Sequence, residues 1–180
     1  MSTDHAFQKK ASIADSLIKA GIGSAFHSRS LTEFDPALVE WVNEKRALAS
    51  EGKGLSLIGD YNAYQATILL ARAMHLKGYH SLVVPLRTLV KWLDYDAEEL
   101  GQVASVRALF ITRFYDVHPG AKESPMKPWE VQNVEDLIFG RLDNQKAVFT
   151  QSSLQIVKES WWTSGMVDRL VQVNEKILVK

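Results

Sequence analysis

Gly-Leu-Ser-Leu-Ile-Gly-Asp-Tyr-Asn-Ala-Tyr-Gln-Ala-Thr-Ile-Leu-Leu-Ala spans residues 54–71. Leu55 to Ile58 form a short apolar run and Gly59 breaks it. From residue 63 onward Ala66, Leu69, Leu70, Ala73 and Met74 recur at helical spacing, up to a stop at Gly78. A buried strand, a glycine turn and a helix, in that order, make the frame of a phosphate-binding loop. A working loop reads Gly, four residues, then Gly-Lys-Ser/Thr. Counted from Gly59, this chain carries Tyr64, Gln65 and Ala66 at the last three places. The lysine that would reach the phosphates and the hydroxyl that would bind Mg²⁺ are both replaced. Tyr64 also puts a ring where close backbone approach requires glycine.

The flanks continue the alternation of strand and helix. Residues 8–20 read as a short helix stopped by Gly21 and Gly23, and residues 24–34 as a loop. Asp35 caps a helix with Pro36 in its first turn, where the missing N–H is not needed. Leu38, Trp41, Val42, Lys45, Leu48 and Ala49 then recur at helical spacing up to Gly52 and Gly54. Downstream, Ser81 to Val84 predicts a second strand, and Pro85 the start of a helix with Leu86, Leu89, Val90 and Leu93 inward. Asp94 to Glu99 reads as a solvated acidic stretch, open to either helix or loop. Val106 to Thr112 predicts a third strand, and residues 113–128 a long loop of the kind that tends to be functional or mobile. A helix over 128–142, a strand over Ala147 to Thr150, helices near 154–161 and 164–171 and a last strand over Ile177 to Val179 complete the chain. Near-continuous apolar strands alternating with helices predict an α/β fold. Its sheet is five-stranded, mostly parallel and covered on both faces.

Composition narrows the function. The chain has 180 residues, enough for one domain with a substantial core. Its 21 basic and 21 acidic side chains cancel, which argues against strong non-specific nucleic-acid binding. No cysteine is present, so disulfides and thiolate metal sites are excluded. The five histidines lack the spacing of a helical metal site, and no metal is expected. No leader-like run and no apolar stretch of membrane-spanning length occur, so a cytoplasmic location is expected. Arg72, Lys77, Arg87 and Lys91 lack interleaved aromatic side chains and read as a solvated face.

Ala-Gly-Ile-Gly-Ser-Ala-Phe-His-Ser-Arg-Ser-Leu-Thr-Glu-Phe-Asp (20–35), then a helix, then Gly-Lys-Gly-Leu-Ser-Leu-Ile-Gly (52–59) resembles the AAA+ ATPases of the DnaC/DnaI/IstB class. These are bacterial and phage helicase loaders and related transposition helpers. The resemblance implies a P-loop NTPase-like (AAA+ core) three-layer sandwich. Residues 1–20 would form an N-terminal helical extension and residues 21–180 a degenerate AAA+-like domain. By position, Ala108 to Thr112 resembles the Walker B strand, which places Thr112 and Arg113 where acids that organise Mg²⁺ belong. Ala-Val-Phe-Thr-Gln-Ser-Ser (147–153) resembles the sensor 1 strand, with Gln151 or Ser152 at its polar place. Met-Val-Asp-Arg-Leu (166–170) resembles the motif whose arginine finger reaches a neighbouring subunit's nucleotide, and Arg169 matches that arginine.

With the lysine, the hydroxyl and the Walker B acid all replaced, the expectation is a pseudo-ATPase with no cofactor. It would act in DNA replication by binding a replicative helicase or an AAA+ helicase loader, in a phage or other mobile element. Contact with DNA would be weak or indirect, with no membrane contact, and an oligomer is possible. Arg169, Trp161, Trp162, Phe114, Tyr115 and Trp129 are the expected partner-binding residues: Arg169 as the finger, Phe114, Tyr115 and Trp129 as apolar surface around the loop, and, of the adjacent Trp161 and Trp162, one in the core and the other at an interface. Two other readings stand beside it. One is an active but atypical ATPase in which another cation replaces the lysine and Asp116 supplies the acid. The other is an IstB-like transposition helper, which salt-sensitive DNA binding would reveal.

Overall fold

The computed structural model describes residues 12–95, 97–114, 126–153 and 162–179. Five short strands form one sheet: β1 (Gly54–Ile58), β2 (Ser81–Pro85), β3 (Ala108–Thr112), β4 (Ala147–Ser152) and β5 (Asn174–Leu178). Their order is β2-β3-β4-β1-β5, and all four pairings are parallel. Each crossover is helical, as parallel neighbours require. The helices are α1 (residues 12–19), α2 (Pro36–Glu40), α3 (Tyr61–Leu76), α4 (Leu86–Tyr95), α5 (Ala97–Ser105), α6 (Pro128–Asp143) and α7 (Ser164–Val173). The expected α/β three-layer sandwich is what the chain forms.

β1 to β4 are largely apolar on both faces because both faces are covered, whereas the edge strand β5 carries exposed Glu175 and Lys176. Along β3, Ala108 and Phe110 face α1, α2 and α3, whereas Leu109 and Ile111 face the layer of α4 to α7. Phe110 stacks on Phe149 at 4.2 Å, and Trp41 meets Phe149 edge-on at 5.4 Å. Leu17, Ala20 and Ile22 belong to this first core layer, so α1 packs directly on the domain. The α1-to-β2 contact is made by backbone: Val83 N–H donates to the Ala20 carbonyl at 2.9 Å, which covers part of the β2 edge. Such cover blunts an edge strand.

Several boundaries differ from the sequence reading. Asp35 does cap α2, its Oδ1 accepting from Ala37 N–H at 2.9 Å. The helix then runs on through a π turn and a 3₁₀ turn to Glu51. Gly54, read as part of its stop, is the first residue of β1. Pro85 ends β2 rather than opening α4, a place an edge strand allows because proline has no N–H to give. Residues 24–34 hold two 3₁₀ turns, Ser24–Phe26 and Leu31–Glu33. The acidic stretch is mostly helical, β3 begins at Ala108 and β5 at Asn174. The expected helix near 154–161 and most of the loop over 113–128 lie outside the described residues.

Candidate functional site

The carboxyl ends of parallel strands are where ligands gather in α/β sheets, and the Gly59 turn lies at that end of β1. It is very short. Only Gly59 and Asp60 separate β1 from α3, which begins at Tyr61. Gly59 has φ 147°, and a Cβ there would lie 2.3 Å from the Val179 carbonyl oxygen, so only glycine fits. Gly59 N–H donates to the Ser152 carbonyl at 3.0 Å, and Val179 N–H to the Ile58 carbonyl at 2.9 Å. The turn is thus tied to β4 and to the end of β5.

A phosphate cradle needs several successive N–H groups turned toward one point. Here residues 61–66 are already wound into α3, and Tyr64 N–H bonds the Asp60 carbonyl at 3.1 Å. Ala66 is fully buried in the core. Gln65 is half-buried, and its Oε1 accepts from Arg29 Nη1 at 3.1 Å. Arg29 in turn holds Glu33 through Nε at 3.0 Å and Nη2 at 2.7 Å, with the Phe26 and Phe34 rings 5.9 and 5.5 Å away. The Ser30 backbone N–H and then Arg29 hold the Glu33 carboxyl below its ordinary range. Beside them opens a groove of about 620 Å³, lined by Arg29, Glu33, Asp35, Asn62, Gln65 and Leu178 among others.

The end of β3 meets the same rim. Thr112 is buried, and its hydroxyl has no hydrogen-bond partner among the described residues. Arg113 adopts φ 54°, a left-handed conformation uncommon for a non-glycine residue. Gln151 holds it there: Gln151 Oε1 accepts from Arg113 N–H at 3.0 Å, while its Nε2 donates to the Gly59 carbonyl at 3.2 Å. One buried amide thereby joins the ends of β1 and β3 across β4. The Arg113 guanidinium sits 5.9 Å from the Tyr64 ring, which stacks on Tyr61 at 6.4 Å. The structure therefore brings Gly59, Tyr64, Thr112, Arg113 and Gln151 together, and gives Gln65 a separate partner in Arg29.

The expected partner-binding residues divide. Phe114 is fully buried and stacks on Trp162 at 4.7 Å, with Trp162 only 2% exposed. Both rings fill the core on the α6 and α7 side, so neither offers a docking surface. Trp129 is 45% exposed at the start of α6, with Lys127 Nζ 5.5 Å from its ring. Arg169 lies on α7 with a partly exposed side chain, paired through Nη2 with Asp143 at 3.0 Å. Tyr115, Asp116 and Trp161 lie outside the described residues.

Three buried polar side chains escaped the sequence reading. Arg141 is 3% exposed, and its guanidinium donates to the carbonyls of Val106 at 3.0 Å and Ala147 at 3.2 Å, and also to those of Val103 and Arg107. Burial lowers its pKa to about 10, which leaves it charged at neutral pH. Glu135 on α6 accepts from Thr163 N–H at 2.6 Å and from the Thr163 hydroxyl at 3.0 Å, fixing the start of α7. Asn174 donates to Val148 O at 2.9 Å and to Ser56 Oγ at 3.3 Å across the sheet. No periodicity marks such residues, because their partners are distant in sequence. Among the described residues no cluster of His, Asp and Glu could hold a metal ion. None of their helices is long and apolar enough to cross a membrane.

No protein-family model and no curated protein matches the sequence. Solved structures do match. The DnaC helicase loader superposes with a TM-score of 0.71 at 14% identity, over 88% of this chain and 100% of that one. DnaI gives a TM-score of 0.66 at 15% identity, over 88% of this chain and 94% of that one. AMPPCP-bound DnaA from Aquifex aeolicus gives 0.65 at 14% identity, over 88% of this chain and 51% of that one. The chain shares the fold of these proteins, and the resemblance read from the sequence holds at the level of fold.

Proposed function

We propose that the chain is a non-catalytic DNA replication accessory protein, which binds a replicative helicase or its loader and modulates helicase loading. Its fold is that of DnaC, which is described as a helicase loader. The observation that carries the non-catalytic half is the β1–α3 connection. Two residues stand where a phosphate loop would spread its N–H groups, and α3 starts at Tyr61. The lysine position holds Gln65, bonded to Arg29. Arg29, the cation bonded to Gln65, is already paired with Glu33. At the end of β3 the acid is replaced by buried Thr112 and by Arg113, whose charge would repel Mg²⁺.

On this reading the molecule works by contact. Arg169 would give up Asp143 to reach a partner, and Trp129 would add an exposed aromatic anchor. The test is a binding and loading assay with purified replicative helicase and helicase loader. The chain is expected to bind one of the two and to change the amount of helicase loaded on single-stranded DNA. Absence of binding to both contradicts the proposal.

A further inference from the structure

We propose that Tyr61, Tyr64 and Arg113 form a docking ladder for a carboxylate-bearing segment of a partner protein. This rests on the reading above that the chain acts by protein contact. Tyr61 is 68% exposed, its ring inclined 22° to that of Tyr64, and the Arg113 guanidinium lies against Tyr64. Tyrosine and arginine are residue types that dominate binding energy at interfaces. The ladder is also held in place before any partner arrives. Tyr61 and Tyr64 sit on the first turn of a sixteen-residue helix. Arg113 is kept in its left-handed conformation by Gln151, which is anchored in turn on the Gly59 carbonyl. A backbone held in an unfavourable region by its surroundings is a common mark of a functional position.

Charge selects the partner. Among the described residues, ion pairs at Arg29, Lys45, Lys53 and Arg169 join cations to carboxylates of this chain. The exposed Arg113 side chain instead rests on an aromatic ring, with no hydrogen bond or ion pair from its guanidinium among the described residues. Resting on a ring leaves the N–H fork free for a carboxylate or a phosphate. A chain of phosphates needs many cations, and the molecule has no net positive charge to supply them, whereas the single Arg113 fork suits one carboxylate. An acidic protein segment with an apolar side chain to lie on Tyr61 satisfies both the fork and the ring.

The test uses the full chain and three fluorescein-labelled probes in anisotropy titrations. The first is a peptide alternating glutamate with phenylalanine, the second the same peptide with glutamine for glutamate, and the third an oligothymidylate. The glutamate peptide is expected to bind about tenfold more tightly than either other probe. Arg113→Asn, which suits a left-handed backbone, and Tyr61→Ala are each expected to weaken it about tenfold. Lys53→Gln, at the opposite end of β1, is expected to leave it unchanged. Thermal melts confirm that the variants fold. Equal binding of the glutamine peptide, tighter binding of the oligothymidylate, or full binding by Arg113→Asn would overturn the ladder. Peptide binding without helicase or loader binding would leave the ladder standing and overturn only the helicase reading.

Discussion

Gly59 carries the tightest constraint at the scale of single residues. Its φ of 147° and the Val179 carbonyl leave no room for a side chain. Gly59→Ala should destabilise the fold by about 1–3 kcal/mol, the usual range for a strained backbone position, read as a lower midpoint in urea unfolding. Gln65 makes the opposite kind of prediction. If the lysine were the only group missing, Gln65→Lys would restore nucleotide binding. The structure gives residue 65 a place inside α3 and leaves Tyr64 one turn in from its start. Gln65→Lys should therefore bring no ATP binding in calorimetry, and it should lose the hydrogen bond from Arg29. These places were legible in the sequence because a phosphate loop fixes residue types at fixed offsets from one glycine. The Arg29–Gln65 bond was not legible, because it joins residues 36 positions apart.

Between elements, two polar side chains, buried Arg141 and half-buried His75, hold layers together. Arg141 ties α6 to the end of α5 and the start of β4 through backbone carbonyls. Arg141→Met would leave those carbonyls buried and unpaired, at about 3 kcal/mol or more. Arg141→Lys should recover only part of that in the same urea titration, since one ammonium lacks the planar fork. His75 on α3 joins α1 to β2. Its Nδ1 accepts from Ser81 N–H at 3.4 Å, which leaves Nε2 to donate to Ser16 Oγ at 2.7 Å. Burial, and then the neighbouring His80, lower its pKa below 6.5. The unfolded chain then binds the proton more readily than the folded one. The contribution of His75 is fully present above pH 6.5 and is lost as pH falls through the lower folded value. Urea midpoints at about pH 7.5 and about pH 5.5 should differ in that sense, and His75→Gln should shrink the difference. Strand and helix identities were legible for β1 to β4 because both faces of the sheet are buried there and each strand carries an apolar run, whereas β5 begins with the polar residues Asn174, Glu175 and Lys176. Pro85 misled because an edge strand tolerates proline where a central one does not. Phe114 misled because its buried place is set by a stacking partner 48 residues away, and Trp162, one of an adjacent pair of which one was expected in the core, is that buried partner.

For the molecule as a whole, a three-layer sandwich has a rim at which the Gln151 amide joins the ends of β1 and β3, and a turn of two residues joins β1 to α3. Order and spacing of landmarks revealed that fold where identity to DnaC is only 14%. They could not show that α3 begins at Tyr61, because helix starts are set by caps and tertiary contacts as much as by pattern. If gripping a triphosphate has been given up while the fold stays, nucleotide affinity should be absent from the intact chain. Isothermal titration with ATP and MgCl₂ tests this most directly. The expected result is no saturable heat, with Kd weaker than about 1 mM; a micromolar Kd that depends on Mg²⁺ would contradict it.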